Sequence, residues 1–262
     1  MKYHIDTIPI WDAYQQQEGC SLCALEYKSE NEYIDFYLSG SVMEPSTRIE
    51  VNEVGFCPNH FKLLYKEKNR LGLALISHTH LRETIKKLEK LTNPLIGHEE
   101  NGLVEKLSGL FPKKMSGKDT ELISLINYLD EQHDSCMVCH RIQSLLERYA
   151  YTILHMWQKE EAFEEVLRDS GGFCLNHLSL ILRIASETLS SKVFDNWVNY
   201  IIPIQLDSLK ELDEDLLWFT KKFDYRNQDK PWGNSRDALP RTLEKLSGSY
   251  MEAPSPKDEK KD

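Results

Sequence analysis

Eight residues carry the clearest chemistry of this chain: Cys20-x-x-Cys23 with Cys57-x-x-His60, then Cys136-x-x-Cys139 with Cys174-x-x-His177. Together they use all six cysteines. Thiolate sulfur and imidazole nitrogen are the ligands of tetrahedral zinc, and a Cys-x-x-Cys pair brings two sulfurs to one ion at about 2.3 Å. Taken in chain order, Cys20, Cys23, Cys57 and His60 form one Cys₃His set, and Cys136, Cys139, Cys174 and His177 form a second. The expected cofactor is therefore two structural zinc ions. Rival chemistries for the same residues are a thiol-based redox or metal sensor, an iron–sulfur centre in which histidine replaces a thiolate, and haem. Cys136-Met137-Val138-Cys139-His140 fits the c-type attachment pattern. Against haem, Ala24 stands at the matching place after Cys23, and Cys174 with His177 offers Cys136 and Cys139 a better partner pair.

The elements that must position these ligands repeat. Cys23 to Cys57 spans 34 residues and Cys139 to Cys174 spans 35. Setting Cys20 on Cys136 also pairs Ile10 with Ile126, Tyr33 with Tyr149 and Leu38 with Leu154. Gly55-Phe56-Cys57-Pro58-Asn59-His60 falls on Gly172-Phe173-Cys174-Leu175-Asn176-His177, which argues for an internal duplication. Ile142, Leu145, Leu146, Tyr149, Ile153, Met156 and Trp157 keep helical period. Phe163, Val166 and Leu167 mark a shorter helix, and Leu178, Ile181, Leu182, Ile184 and Ala185 open a third. In the first copy the equivalent of that third helix is expected from about His60 to Leu91. Few segments alternate with the period of strands, so the expected fold is all-α. Cys57 suits an N-cap and Pro58 a first helical position, with the glycines ahead allowing the sharp turn. Spans of 34 and 35 residues suit an out-and-back helical hairpin with one ion at the base of each.

These readings divide the chain into a first Cys₃His unit at 1–92, a connection at 93–118 and a second unit at 119–222. A C-terminal helical arm at 223–249 and a disordered tail at 250–262 follow. The connection holds several Gly and Pro with one short helix near 103–110. A late helix is expected from Leu206 to Phe223 and a last one from about Leu239 to Leu246. The architecture is thus two tandem zinc-stapled helical repeats with a C-terminal arm.

The chain has 262 residues with 42 acidic and 32 basic side chains, a formal charge of −10. Two filled Cys₃His sites would make it about −12, because three thiol protons leave for every two positive charges gained. That balance disfavours nucleic acid as a partner. The first residues lack a secretory h-region and no stretch is apolar enough to span a bilayer, so the expected setting is cytoplasmic, with thiols reduced. Gly-rich phosphate loops and Gly-x-Ser-x-Gly elbows are missing, and every thiol is claimed by a ligand set. A non-enzymatic module with protein partners is the reading that remains. Asp224, Tyr225, Arg226 and Trp232 crowd polar and aromatic groups into a turn-rich stretch and are the candidate binding lip. The competing reading is that Tyr225 and Trp232 pin the arm to the bundle.

The layout resembles a bacterial family of unknown function whose helical members carry tandem Cys-x-x-Cys and Gly-Phe/Leu-Cys-x-x-His units and a late Asp-Tyr-Arg segment. The matching residues are Cys20, Cys23, Gly55-Phe56-Cys57, His60, Cys136, Cys139, Gly171-Gly172-Phe173-Cys174, His177 and Asp224-Tyr225-Arg226. The resemblance implies the duplication and a bacterial cytoplasmic setting, and brings no activity or substrate.

Overall fold

The computed structural model describes residues 3–15, 19–96 and 117–248. Among them the chain forms eleven α-helices and no strands, as the periodicity predicts. In order these are α1 (Tyr3–Gln15), α2 (Ser21–Leu38), α3 (Pro45–Val54), α4 (Pro58–Lys66), α5 (Arg70–Ile96) and α6 (Gly117–Asp134). There follow α7 (Met137–Lys159), α8 (Glu161–Asp169), α9 (Leu175–Thr188), α10 (Ser191–Lys222) and α11 (Ala238–Ser247).

The helices gather into two compact units, but not the tandem pair expected from chain order. One unit is discontinuous, built from Met1–Ser29 and Ile142–Asp262, and the other is the insert Glu30–Arg141. The expected boundaries at 92 and 119 both fall inside that insert. Its connection at 97–116, with the expected short helix, and the tail after residue 248 lie outside the described residues.

In the discontinuous unit the N-terminal segment is held by aromatic and ionic contacts to residues far along the chain. Phe163 is fully buried, and the edges of Trp11 and Tyr14 meet its ring at centroid distances of 5.3 and 5.1 Å. Such pairs add about 0.5–1.5 kcal/mol each beyond burial. The Arg148 guanidinium reaches the buried Asp6 carboxylate at 2.8 Å. Trp197, Ile201, Gln205 and Leu212 form the buried stripe of α10. Sequence reading starts this helix at Leu206, whereas it runs through Pro203 from Ser191. Proline removes one backbone donor, and the apolar stripe on both sides of it holds the helix together.

In the insert, the helix expected from His60 to Leu91 breaks in two at residues 67–69. Asn69 causes the restart: its Oδ1 accepts the Gly72 N–H at 2.8 Å as an N-cap for α5. Arg141 ties three helices of this unit, donating to Tyr37 Oη at 2.7 Å and to Glu50 at 2.7 Å.

Lys222 organises the turn-rich segment after α10. It is 5% exposed, and its Nζ donates to the backbone carbonyls of Asn227 at 2.8 Å, Gln228 at 2.7 Å and Lys230 at 2.5 Å. Trp232 lies over that ammonium at 5.1 Å and against Phe219 at 5.8 Å. Arg241 then fixes α11 through Asp215 at 2.9 Å and Asp237 at 3.0 Å.

Phe163→Ala should cost about 3–5 kcal/mol, because it empties a fully enclosed site and frees two aromatic partners. Urea unfolding followed by tryptophan fluorescence checks this, since Trp11 reports the same contact.

Candidate metal centres

Local geometry at the two Cys-x-x-His motifs is nearly the same. Cys57 has φ −69° and ψ 164° as the N-cap of α4, and Cys174 has φ −65° and ψ 162° as the N-cap of α9. Left-handed glycines precede both, Gly55 at φ 71° and Gly172 at φ 82°. A side chain there would be strained, and it would also collide with His80 at Gly55 or with Gln205 at Gly172. One helical turn on, His60 and His177 face back over their cysteines, with Nδ1 at 3.2 Å from Cys57 Sγ and from Cys174 Sγ.

The partners of these motifs are not those expected. Cys20 and Cys23 converge with Cys174 and His177, while Cys57 and His60 converge with Cys136 and Cys139. Each Cys-x-x-Cys therefore meets the Cys-x-x-His of the other half of the chain. In both groups the ligand atoms all lie within 4.8 Å of one another. All eight residues singled out from the sequence are used, and only the pairing changes.

The first centre lies within the discontinuous unit. Cys23 Sγ is 3.6 Å from Cys174 Sγ and 3.3 Å from His177 Nδ1, and Cys20 Sγ is 3.6 Å from the same nitrogen. In the second, within the insert, His60 Nδ1 lies 3.2 Å from Cys136 Sγ and 3.3 Å from Cys139 Sγ, and Cys57 Sγ is 3.9 Å from Cys139 Sγ. A tetrahedron with metal–sulfur bonds near 2.3 Å and metal–nitrogen bonds near 2.0 Å has edges of roughly 3.5–3.8 Å. The observed edges are close to those values, so the donor sets fit one tetrahedral ion each.

Both histidines turn Nδ1 inward and leave Nε2 for a carboxylate. His60 Nε2 is 3.0 Å from Glu30, and His177 Nε2 is 3.4 Å from Glu26. A carboxylate on the outer nitrogen fixes the tautomer and raises ligand basicity. Sequence reading passed over both glutamates. They sit four residues apart on α2, a spacing that only gains meaning once the pairing of the motifs is known.

Electrostatics of the metal-free clusters favour a cation. Burial alone would lower His60, but hydrogen bonds with Cys136 and Glu30 outweigh it and lift the imidazole to about 10. His177 rises to about 10 in the same way, against burial, through Cys174 and Cys20. Burial draws Cys136 upward, yet its His60 contact overcomes this and brings the thiol down to about 6. Cys139 is pushed up by burial and by the neighbouring Cys136 and Cys57 sulfurs. In both clusters the surrounding sulfurs draw the imidazole toward its protonated form.

Coverage separates the two centres. The four ligands of the first are buried, and the end of α11 closes over them. Glu244 accepts the Cys20 N–H at 2.9 Å, the Gly248 carbonyl lies 3.3 Å from Cys23 Sγ, and Asn176 donates to the Ser247 carbonyl at 2.7 Å. In the second centre Cys139 is exposed and Cys57 is half-buried. Its cysteine turns are stitched through the backbone, with Met137 N–H donating to the Gly55 carbonyl at 3.0 Å and Ser135 Oγ to the Val54 carbonyl at 2.7 Å.

The remaining sequence candidates fall elsewhere. His140, which completes the haem-like match, is exposed and outside both ligand groups. Asp224 and Arg226 pair with each other at 2.6 Å, and Tyr225 is 80% exposed. Trp232 packs against Phe219 instead, so it pins the segment while Tyr225 does not.

The chain belongs to a family of unknown function, DUF6062, whose pattern matches residues 1–253. It is also similar to an uncharacterized 23.9 kDa protein in the xynA 3′ region of Caldicellulosiruptor sp. (strain Rt8B.4). The two share 20% identity over 212 residues, covering 81% of this chain and 86% of that protein. No solved structure matches.

Glu30→Gln should weaken metal binding at the second centre by about 10–100-fold and leave the first unchanged. Glu26→Gln should do the reverse. Titration of each variant with a chromophoric chelator separates the two affinities.

Proposed function

We propose that this member of the DUF6062 family is a non-enzymatic zinc protein in which two ions hold duplicated helical segments in a crossed arrangement. Its role is that of a protein-interaction or regulatory module. The observation that carries the reading is the convergence of eight Cys and His ligands into two Cys₃His groups with single-ion edge lengths. Soft thiolates with one imidazole in a tetrahedral frame favour zinc, and a multi-iron cluster would hold its ligands farther apart. Four protein ligands per ion leave no open position for substrate, which is the mark of a structural site. Zinc binding of this kind contributes about 10–16 kcal/mol of apparent free energy, as much as the whole net stability of a domain, about 5–15 kcal/mol.

A second reading, that the chain is a thiol-based sensor, is favoured at one centre by the exposure of Cys139 beside Cys57, with 3.9 Å between the sulfurs. Thiolate is the reactive form and exposure governs its oxidation. Two thiolates and one hydrogen peroxide give a disulfide and two hydroxides, and the ion is released with its ligands lost. Under mild peroxide a zinc-sensitive dye should then report one ion per chain from a sensor. Full retention of zinc would leave only the structural role.

Protein purified without added metal should be colourless and carry about two zinc per chain by elemental analysis. Chelation should abolish its cooperative thermal transition, whereas a metal-free protein that stays helical and heat-stable would contradict the structural role. Zinc affinity should rise with pH between about 6 and 9, because the ion must displace protons from the thiols and from imidazoles that hold theirs to about 10. Competition titrations at several pH values read this directly.

A further inference from the structure

Within the insert, α5 and α6 pack against each other as an antiparallel pair. His80 and Gln132 both reach the end of α3, at the backbone carbonyls of Asn52 and Glu53. Further out, Lys87 lies over the Tyr128 ring at 5.8 Å. The seam is half-buried Thr84, Leu88, Leu91 and Leu95 against Leu125 and Tyr128. One position after a seam residue the helix has turned by about 100°, and in an antiparallel pair that turn carries both helices to the same broad face. There stand Leu81 and Ile85 of α5 with Leu122, Ile126 and Leu129 of α6, each 45–56% exposed. Aliphatic side chains at i, i+4 and i+7 are what a helix normally buries.

Charge at the edges of this face identifies what covers it. One position further round, α5 presents Arg82 and Lys86, and α6 presents Asp130. Arg82 and Asp130 are exposed and make no ion pair among the described residues. Lys86 holds Glu83 of its own helix at 2.6 Å, on exposed surface. A basic edge and an acidic edge therefore flank one apolar face, and a partner of a single sign would meet repulsion at one of them. A second copy matches both at once. A two-fold axis parallel to the helices sets α5 of each copy over α6 of the other. Lys87 and Tyr128 share a level within one chain, and this axis preserves level, so Lys86 of one copy comes beside Asp130 of the other. An axis across the helices would instead stack α5 on α5, with the basic edges together.

We propose that the α5–α6 face joins two copies of this chain into a four-helix dimer. Leu81, Ile85, Leu122, Ile126 and Leu129 of each copy form its core, and the Lys86–Asp130 pairs form its rim. α6 has 18 residues, so at 1.5 Å per residue the shared face is about 27 Å long. Two axes about 10 Å apart make it about 20 Å wide. Both copies together contribute roughly 1,100 Å² of flat footprint, near the lower limit for a specific interface, so the dimer is reversible. The surface is one that the protein-interaction reading can use, but the inference does not rest on that reading, since a dimer is read from mass whether or not other partners exist.

Sedimentation equilibrium of the full-length, metal-loaded protein, from low micromolar to several hundred micromolar, tests it. The mass should rise from 30.6 kDa toward twice that value. Ile126→Glu/Leu129→Glu should weaken association at least tenfold, with helicity and metal content showing that the fold is kept. Lys86→Glu and Asp130→Lys, both on exposed surface, should each weaken it several-fold, and the double variant Lys86→Glu/Asp130→Lys should recover it. A monomer at every concentration overturns the proposal and leaves the face to another occupant, a different protein or the chain's own residues 97–116. A dimer indifferent to Ile126→Glu/Leu129→Glu overturns it too, because the contact then lies elsewhere. No loss in either single charge variant, or loss without recovery in the double, overturns the stacking of α5 on α6.

Discussion

Each half of the eight-ligand set is useless without a partner that chain order does not place next to it. A Cys-x-x-Cys turn offers two sulfurs and a Cys-x-x-His turn offers a sulfur and a nitrogen, and a tetrahedral ion accepts nothing less than both. At the first centre the joined residues stand 157 positions apart, Cys20 and His177. A metal held there would do for the discontinuous unit what a short loop does in an ordinary domain: it would fix the N-terminal segment to helices made more than a hundred residues later. Trp11, Tyr14 and Asp6 extend the same attachment along α1, but through contacts worth far less than the ion.

Chain entropy explains why this arrangement is affordable. Closure cost grows only as the logarithm of loop length, so lengthening a closed segment from about 35 to about 150 residues adds on the order of 1 kcal/mol. Against a metal-binding free energy near 10 kcal/mol, that difference does not decide which motif pairs with which. Backbone complementarity decides it. In the insert, Met137 N–H meets the Gly55 carbonyl and Ser135 meets Val54, bringing the Cys136 turn against the Cys57 turn. At the first centre the equivalent support comes from Glu244, Ser247 and Gly248 at the end of α11. Difference in support becomes difference in coverage, and leaves Cys139 as the ligand that solvent can reach.

The all-α architecture, the eight candidate ligands and the Cys57 cap were legible in the sequence, because helical periodicity and ligand spacing are local properties. So was the need for glycine at Gly55 and Gly172, where a left-handed turn feeds the helix. Pairing was not legible. The similar spans within each half point to local clamps, and the residues that redirect them, Met137, Glu244 and Gly248, carry no spacing signal. Glu26 and Glu30 were invisible for the same reason. Asn69 and Pro203 misled in opposite directions: an asparagine cap broke a helix that periodicity joined, and packing carried another helix through a proline. The aromatic Tyr225 and Trp232 looked like one surface, yet the buried ammonium of Lys222 draws only Trp232 inward.

The crossed pairing is the central claim, and removing one cysteine from each half of the chain tests it most directly. In the Cys20→Ser/Cys174→Ser variant both changes fall on the first centre, so elemental analysis should find about one tightly held metal ion per chain. The residual ion should show the ligand set of the second centre by cadmium NMR after substitution. Loss of both ions from that variant, with a single ion retained when Cys20 and Cys57 are changed together, would show that the clamps close within each half and would contradict the account.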